Sequence, residues 1–207
     1  MKLLVLGATG GTGLEIIRQA VDRDHFVTAF VPSPERLSPF FDRITVKQGN
    51  PLDSIALERI MESHDAVLSG FGPRTPVPKE DRDLLKNFAT SLTGAMVRSG
   101  ARRAAVISTA FLFRDAVPPA HLFGRLFFPA IVRDASAMEN IICESGLDWT
   151  IVRPPRLTDE PFTGRYRVRV GHLPRFGFNI SRADVADCVI KAVEDRSSIR
   201  TILGMSN

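Results

Sequence analysis

The glycine-rich segment near the start of the chain constrains the fold most. An apolar run over 2–6 leads directly into Gly7, Gly10 and Gly13, and apolar residues at helical spacing follow. In a strand–turn–helix unit, Gly7 permits the tight turn, Gly10 lets backbone approach a pyrophosphate, and Gly13 lets the helix pack closely on the strand. The amides at the helix start then face an anion, whereas a purely structural glycine turn is the alternative. The predicted phosphate-binding residues are Gly7, Thr9, Gly10, Gly11, Thr12 and Gly13.

Strands and helices alternate along the rest of the chain. Apolar residues recur at helical spacing over 14–22, and short apolar runs between turn residues predict further strands. The pattern indicates an α/β fold, with one doubly wound (Rossmann) domain over 1–207 that has a mostly parallel sheet and a small C-terminal part covering the substrate. The later predicted strands are 25–31, 44–46, 66–68, 104–108 and 149–153, with an edge strand over 201–203; the later helices cover 80–99 and 136–145, and others follow Asp53 or Ser54 and Ser181.

Composition and the lengths of the apolar runs exclude several classes of protein. Hydrophobic residues make up 44% of the chain and charged residues 24%, which is ordinary for a soluble globular protein. The apolar runs are too short for a signal peptide or a membrane span. Cys143 and Cys188 fall in predicted helices, so we expect reduced thiols and a cytoplasmic location.

The distribution of charge argues against two further kinds of site. Of the 27 basic residues, 22 are arginines, but they are dispersed rather than gathered into a basic stripe, so no nucleic-acid interface is predicted. Arg165, Arg167 and Arg169 alternate as on one face of a strand, which is typical of a solvated surface. The four histidines lie far apart without metal-ligand spacing, so no metal site is predicted either.

The end of the second strand normally decides which dinucleotide is held. An acid there binds the ribose 2′-hydroxyl of NAD, whereas an arginine accommodates the 2′-phosphate of NADP. No acid stands between Phe26 and Pro34, and Arg36 follows Glu35. The sequence therefore favours NADP(H) with Arg36 as the phosphate ligand; NAD(H), with Arg36 as an ordinary surface residue, is the alternative.

The usual catalytic pair of dehydrogenases with this fold is missing. That pair is a tyrosine with a lysine one helical turn later, whose charge lowers the pKa of the phenol. The chain has one tyrosine, Tyr166, with Val170 four residues on, and no lysine between Lys86 and Lys191. No Gly-x-Ser-x-Gly elbow is present either, which argues against a hydrolase.

Several runs, in order along essentially the whole chain, resemble one family. These runs are the opening Gly-Ala-Thr-Gly-x-Thr-Gly, Ser108-Thr109-Ala110-Phe111-Leu112, Val117-Pro118-Pro119, Glu144-Ser145-Gly146-Leu147, Pro154-Pro155 and Pro161-x-Thr163-Gly164-x-Tyr166. They are similar to the biliverdin IXβ reductase and flavin reductase group, atypical short-chain dehydrogenases close to the NmrA-like proteins. The resemblance implies NADPH-dependent reduction of a flavin or a linear tetrapyrrole, or of a similar planar conjugated acceptor, without a tyrosine and lysine pair.

The resemblance also implies site residues, and the chain departs from the family at four of them. Thr109 falls at the family's serine beside the nicotinamide, and a hydroxyl is kept. Arg156 replaces a histidine after the two prolines, Pro32 replaces an arginine after the second strand, and Ala135 replaces a histidine before the sixth strand. We expect Arg156, with Arg74 as a second candidate, to stabilise charge on the acceptor while water supplies the proton.

The predicted site lies at the carboxyl ends of the strands. Its catalytic residues are predicted to be Thr109 and Arg156. Phe111, Phe113, His121 and Arg156 are predicted to contact the substrate, although the phenylalanines are equally typical of a core or a dimer surface. Further cofactor-binding residues are predicted to be Arg36, Asn50, Pro51, Gly70, Phe71, Gly72, Arg74, Ser108, Thr109, Pro154 and Pro155.

Two rival functions stay open at this point. One is a redox sensor of the NmrA-like kind, which binds the dinucleotide and a protein partner without turnover. The other is an NAD(P)H-dependent quinone reductase, which shares the hydride step. The expected partner is a small planar molecule, and the chain is expected to be a monomer or a homodimer.

Overall fold

The central sheet is built around β1 (Lys2–Leu6), which is completely buried from Leu3 onward. β2 (Phe26–Val31) pairs with it in parallel on one side and β4 (Ala66–Ser69) on the other. The other strands of this sheet are β3 (Thr45–Gln48), β5 (Arg103–Ile107), β6 (Asp148–Arg153), β8 (Arg167–Val170) and β10 (Thr201–Ser206). In the computed structural model, which describes residues 1–73, 83–114 and 120–207, the strand order is β3-β2-β1-β4-β5-β6-β10-β8.

Seven of these strands are parallel, and β8 alone is antiparallel to its neighbour β10. The order places the reversal of the winding between β1 and β4, where a doubly wound sheet opens a crevice at its carboxyl edge. The predicted fold class, an α/β domain with a mostly parallel sheet, is confirmed.

Helices cover both faces of the sheet and create two cores. On one face, α1 (Gly11–Asp22) buries aliphatic residues against β1 and β2, and α6 (Arg182–Glu194) buries them against β4, β5 and β6. On the other, α2 (Ser54–Met61), α3 (Leu84–Ser99) and α5 (Pro129–Glu144) bury a second set around Phe88 and Trp149. A further helix, α4 (Ala120–Phe127), precedes α5. None of the described helices is long and apolar enough to cross a membrane.

The ends of the helices follow the turn chemistry of the sequence. Asp53 caps α2 by accepting the amides of Ile55 and Ala56, and Ser181 caps α6 by accepting the amide of Asp184. Gly100 ends α3 in the left-handed conformation at φ +76°. α5 begins seven residues before the predicted 136, at Pro129, because a proline is well suited to a first helical turn.

The C-terminal part differs from the prediction in the place of its last strand and in two short strands that were not predicted. The expected edge strand over 201–203 is wrong: β10 runs to Ser206 and lies inside the sheet, between β6 and β8. Its last residues are buried, whereas β8, which carries Arg167 and Arg169, is exposed throughout and forms the edge. Beside this sheet, β7 (Arg156–Thr158) and β9 (Asn179–Ser181) pair in parallel as a separate two-stranded sheet.

Candidate functional site

The glycine turn between β1 and α1 is formed as its spacing predicts. Gly7 has φ +70°, and a Cβ atom there would lie 2.5 Å from the amide nitrogen of Phe71. A Cβ on Gly13 would lie 2.2 Å from the carbonyl oxygen of Gly7. Neither position therefore accepts a side chain, and the first turn of α1 packs directly against the ends of β1 and β4.

The start of α1 is suited to bind an anion. Gly10 is the residue before the helix, and no side chain in the described part of the chain caps the amides of the first turn. The amide of Gly10 is itself used, since it donates to the carbonyl of Gly7 at 3.0 Å. The uncapped amides of Gly11 and Thr12 and the positive end of the helix dipole form a cradle for phosphate oxygens. The backbone here fits the pyrophosphate of a dinucleotide.

A cleft of about 700 Å³ runs from this cradle along the carboxyl edge of the sheet. Its position at the reversal point is the one expected for a ligand in a doubly wound fold. Of the residues predicted to bind the cofactor, the cleft brings together Gly7, Thr9, Gly10, Gly11, Thr12, Arg36, Pro51, Gly70, Phe71, Gly72, Ser108 and Thr109. Its other described lining residues are Phe30, Val31, Pro32, Pro73, Leu85, Ile107, Ile131, Ala135, Leu157 and Arg182.

The end of the cleft nearest β2 carries one cation. Arg36 lies in the short 3₁₀ helix Glu35–Phe40 and is exposed, with no ion-pair partner among the described residues. Glu35 beside it is not among the described residues that line the cleft. A negatively charged group such as a ribose 2′-phosphate would therefore meet a guanidinium here and no carboxylate.

The other end of the cleft carries two hydroxyl groups, after β5. Ser108 Oγ is buried and has no hydrogen-bond partner within the described part of the chain. Thr109 Oγ1 accepts the amide of Phe111 at 3.3 Å, where it caps the short 3₁₀ helix Ala110–Leu112. The Thr109 hydroxyl donates to no acceptor among the described residues, so its proton is available to a ligand. An orphaned buried hydroxyl such as Ser108 is the kind of group that a bound polar ligand satisfies.

Apolar side chains from two helices form the wall beside these hydroxyls. Ile131 and Ala135 of α5 and Leu85 of α3 line it, and the buried carboxylate of Asp134 holds the two helices together. That carboxylate accepts the amides of Leu85 at 2.9 Å and Lys86 at 3.0 Å. Ala135, where the resemblance leads one to expect a histidine, presents only a methyl group to this wall.

Arg156, the predicted catalytic arginine, is not among the described residues that line the cleft. It is the first residue of β7, and side chains in a strand alternate between its two sides. Leu157 points into the cleft, so Arg156 is directed away from it and is exposed. Pro154 and Pro155 also lie outside the described lining. The strand thus turns Leu157 and not Arg156 inward, and the expectation that Arg156 stands beside the acceptor stays a prediction.

The remaining predicted residues are distributed elsewhere. Asn50 is exposed and its side-chain carbonyl accepts the amide of Leu52. Phe111 stacks on Phe128 and lines a second cavity on the far side of α5. Phe113 is buried beneath Arg153, whose guanidinium lies 4.7 Å from its ring centre, so it is a core residue. Arg74, the run 117–119 and the side chain of His121 lie outside the described residues.

Tyr166, the one tyrosine of the chain, is not placed to act as a general acid or base in the cleft. Its hydroxyl donates to Asp187, a buried carboxylate that also contacts Arg23 and Lys191. Burial, together with this hydrogen bond, holds the pKa of Tyr166 far above its usual range, so the phenol keeps its proton. Tyr166 is not among the described lining residues of the cleft.

Sequence reasoning missed Arg182 as a site residue. It reads as the first residue of a helix after a serine cap, and nothing in its local sequence distinguishes it from a surface arginine. Its place in the cleft comes from the packing of α6 beside α1, a contact between the two ends of the chain. No short motif carries that information.

Comparison with known proteins agrees with this geometry. A model of the NAD(P)H-binding family matches residues 7–196. A chloroplastic protein of Arabidopsis thaliana is 30% identical over 97% of this chain and 75% of its own length. A short-chain dehydrogenase/reductase from Veillonella parvula, solved in complex with NADP, superposes with a TM-score of 0.85 at 20% identity, over 100% of this chain and 94% of that one. An anaerobilin reductase from Escherichia coli O157:H7 superposes with a TM-score of 0.80 at 18% identity, over 100% and 97%. With the glycine cradle formed at the head of a Rossmann-like sheet, the chain belongs to the NAD(P)H-binding family that this model describes.

Proposed function

We propose that this protein is an NADPH-dependent reductase that transfers hydride to a planar conjugated acceptor, a flavin or a linear tetrapyrrole. One observation carries the proposal. The described lining of the dinucleotide cleft contains two arginines and several hydroxyl groups, but no carboxylate, histidine, lysine, cysteine or tyrosine. Reduction of an isolated ketone needs a positioned proton donor, whereas hydride transfer to a delocalised acceptor spreads the developing charge. The cleft fits the second reaction.

Some residues of the cleft hold the cofactor, and others orient the acceptor. When bound, the reduced nicotinamide supplies a hydride, which carries two electrons and one proton to the acceptor, and water supplies the second proton. The amides of the glycine cradle hold the pyrophosphate, and Ser108 offers its unpartnered hydroxyl to the nicotinamide end. The free proton of Thr109 donates to a nitrogen or oxygen of the acceptor. Leu85, Ile131 and Ala135 exclude water from this end of the cleft. The rate of hydride transfer then comes from holding the two reactants in a fixed geometry.

The test offers NADPH together with one of three acceptors, FMN, a quinone or a linear tetrapyrrole, and follows the absorbance of the reduced nicotinamide. The tetrapyrrole is included because one protein of the same fold is named an anaerobilin reductase. NADPH binding is measured in parallel by calorimetry. We expect oxidation with the flavin or the tetrapyrrole. Tight NADPH binding without oxidation by any of the three would replace the proposal with the dinucleotide sensor, and oxidation by the quinone alone would replace it with a quinone reductase.

Thr109 gives the proposal a residue-level test. Thr109→Val removes the free hydroxyl proton at nearly constant volume, so we expect kcat to fall about tenfold while the Kd for NADPH stays within about twofold. Thr109→Ser keeps the hydroxyl and should restore most of the rate. Thr45→Val, on the exposed edge strand, is the matched control and should leave kcat unchanged. A Thr109→Val enzyme with full turnover would remove this hydroxyl from the mechanism.

A further inference from the structure

Arg182 lies directly over the first turn of α1. A Cβ atom on Gly11 would stand 2.7 Å from Cδ and 2.9 Å from Nε of Arg182. Gly11 is not one of the three glycines that the turn requires, which are Gly7, Gly10 and Gly13. Its lack of a side chain leaves the space that the Arg182 side chain fills. The chain thus has a fourth glycine whose place is explained by an arginine from the C-terminal part.

The charge of Arg182 is close to the anion cradle. Arg36 and Arg182 are the two cations in the described lining of the cleft, and Arg36 stands at the β2 end. Arg182 is therefore the cation above the uncapped amides of α1. Its Nη1 contacts Asp159 at 2.6 Å, but the side chain of Asp159 is 88% exposed. An ion pair with so exposed a carboxylate is weak in water, so a second anion can compete for the guanidinium.

The backbones that carry this pair are firmly held. Ser181 Oγ accepts the amide of Asp184 at 3.0 Å and so fixes the start of α6. The buried carboxylate of Asp184 in turn accepts the amides of Thr163 at 3.0 Å and Gly164 at 2.9 Å, which fixes the segment after Asp159. Asp184 thus joins the start of α6, through Ser181 Oγ at 2.8 Å, to the segment that follows Asp159, and rotation of the Arg182 side chain is enough to change its partner.

We propose that Arg182 is a second pyrophosphate ligand, which exchanges Asp159 for the phosphates of the dinucleotide when the cofactor binds. The planar guanidinium matches two phosphate oxygens at once, and the pyrophosphate carries more negative charge than a single exposed carboxylate. Asp159 is then a competitor of the cofactor, and the C-terminal part of the fold takes a direct part in cofactor binding. This inference rests on the NAD(P)H-binding family and not on the choice of acceptor.

The test is a calorimetric titration of four proteins with NADPH: wild type, Arg182→Met, Asp159→Asn and the double variant. We expect Arg182→Met to raise the Kd about tenfold and Asp159→Asn to lower it about two- to threefold. In the double variant, Asp159→Asn should have no effect beyond that of Arg182→Met, because its partner is gone. Arg169→Met on exposed β8 is the matched control and should bind as wild type does.

A second ligand separates the pyrophosphate from the rest of the cofactor. Adenosine 2′-monophosphate contains no pyrophosphate, so Arg182→Met should leave its Kd unchanged. The thermal melting temperature of each free variant checks that the fold is intact, and Arg182→Lys keeps a charge at the position if the methionine variant is unstable; it should bind between the two. An NADPH Kd within twofold of wild type for Arg182→Met, or tighter binding from Asp159→Asn in both backgrounds, would overturn the proposal. Both results are independent of turnover.

Discussion

Two regions of the dinucleotide cleft are built in different ways: the phosphate end, at the glycine turn, and the acceptor end, beside Ser108 and Thr109. The phosphate end is made of backbone: Gly7 and Gly13 hold the turn, and the amides that face the ligand belong to the first turn of α1. The acceptor end is made of side chains, which come from β5, α3, α5 and β7. Backbone recognition is encoded within a few consecutive residues, whereas the side-chain surface exists only once distant elements have packed.

The difference has a consequence for how each end responds to substitution. At the phosphate end, an added side chain collides with backbone that cannot move without disturbing β1. At the acceptor end, a substitution of Ser108, Thr109 or Ile131 exchanges one half-buried residue for another and leaves the sheet in place. We therefore expect a side chain added to the glycine turn to act on stability, and substitution of the side chains that line the cleft to act on rate or affinity.

Gly7→Ala is the substitution with the largest expected effect. The alanine would require φ +70° and place Cβ 2.5 Å from the amide nitrogen of Phe71, which is backbone. The conformational strain and the collision each cost on the order of 1–2 kcal/mol, so we expect the free energy of unfolding to fall by about 3 kcal/mol. Chemical denaturation measures it.

Gly72→Ala is the matched control for this comparison. Gly72 also lines the cleft, but a Cβ atom there would meet no atom of the described residues within 4 Å, and its φ is not in the left-handed region. We expect its stability to stay within about 0.5 kcal/mol of wild type. Equal losses of unfolding free energy at Gly7 and Gly72 would show that any glycine in the cleft is needed for stability, and would contradict the distinction made for the turn.

Most of the fold could be predicted from the sequence because its signals are local. The glycine turn, the helix caps at Asp53 and Ser181, and the helix end at Gly100 each depend on residues a few positions apart. The strand predicted over 201–203 is present, but its predicted place at the edge is wrong, and that place depends on which segment pairs beyond β10. That pairing is a contact with β8, and no local pattern encodes it.

The residues of the candidate site could likewise be predicted only where local sequence determines their position. Ser108 and Thr109 follow a buried strand and lie in the cleft, as expected for residues at a strand's carboxyl end. Arg156 also follows a strand, but it opens another strand of its own, and alternation decides that Leu157 and not Arg156 enters the cleft. Arg182 comes from a helix packed beside α1. Facing direction and helix packing are properties of the folded chain.

Substitution of Arg36 tests whether a side chain that lines the cleft changes the affinity for the cofactor. If it binds the ribose 2′-phosphate, Arg36→Ala should raise the Kd for NADPH about tenfold, or about 1.4 kcal/mol, and leave the Kd for NADH within about twofold. Arg43→Ala, in the same region but paired with Asp22 at 2.8 Å, is the control and should change neither. Calorimetry with both nucleotides measures the ratio. Equal losses for both nucleotides would assign Arg36 to a part of the cofactor that they share.

Tyr166→Phe should have the smallest effect and no effect on turnover. The hydroxyl donates to Asp187, which keeps Arg23 and Lys191 as partners, so we expect the free energy of unfolding to fall by about 1 kcal/mol near neutral pH. Because burial and this bond raise the pKa of Tyr166, its contribution is complete below the ordinary tyrosine pKa of about 10 and is lost as pH rises above it. The gap between wild type and variant in chemical denaturation should therefore narrow above about pH 10. A Tyr166→Phe protein of wild-type stability that cannot oxidise NADPH would show that the tyrosine takes part in the reaction. It would then contradict the contrast between a phosphate end made of backbone and an acceptor end lined by the hydroxyls of Ser108 and Thr109.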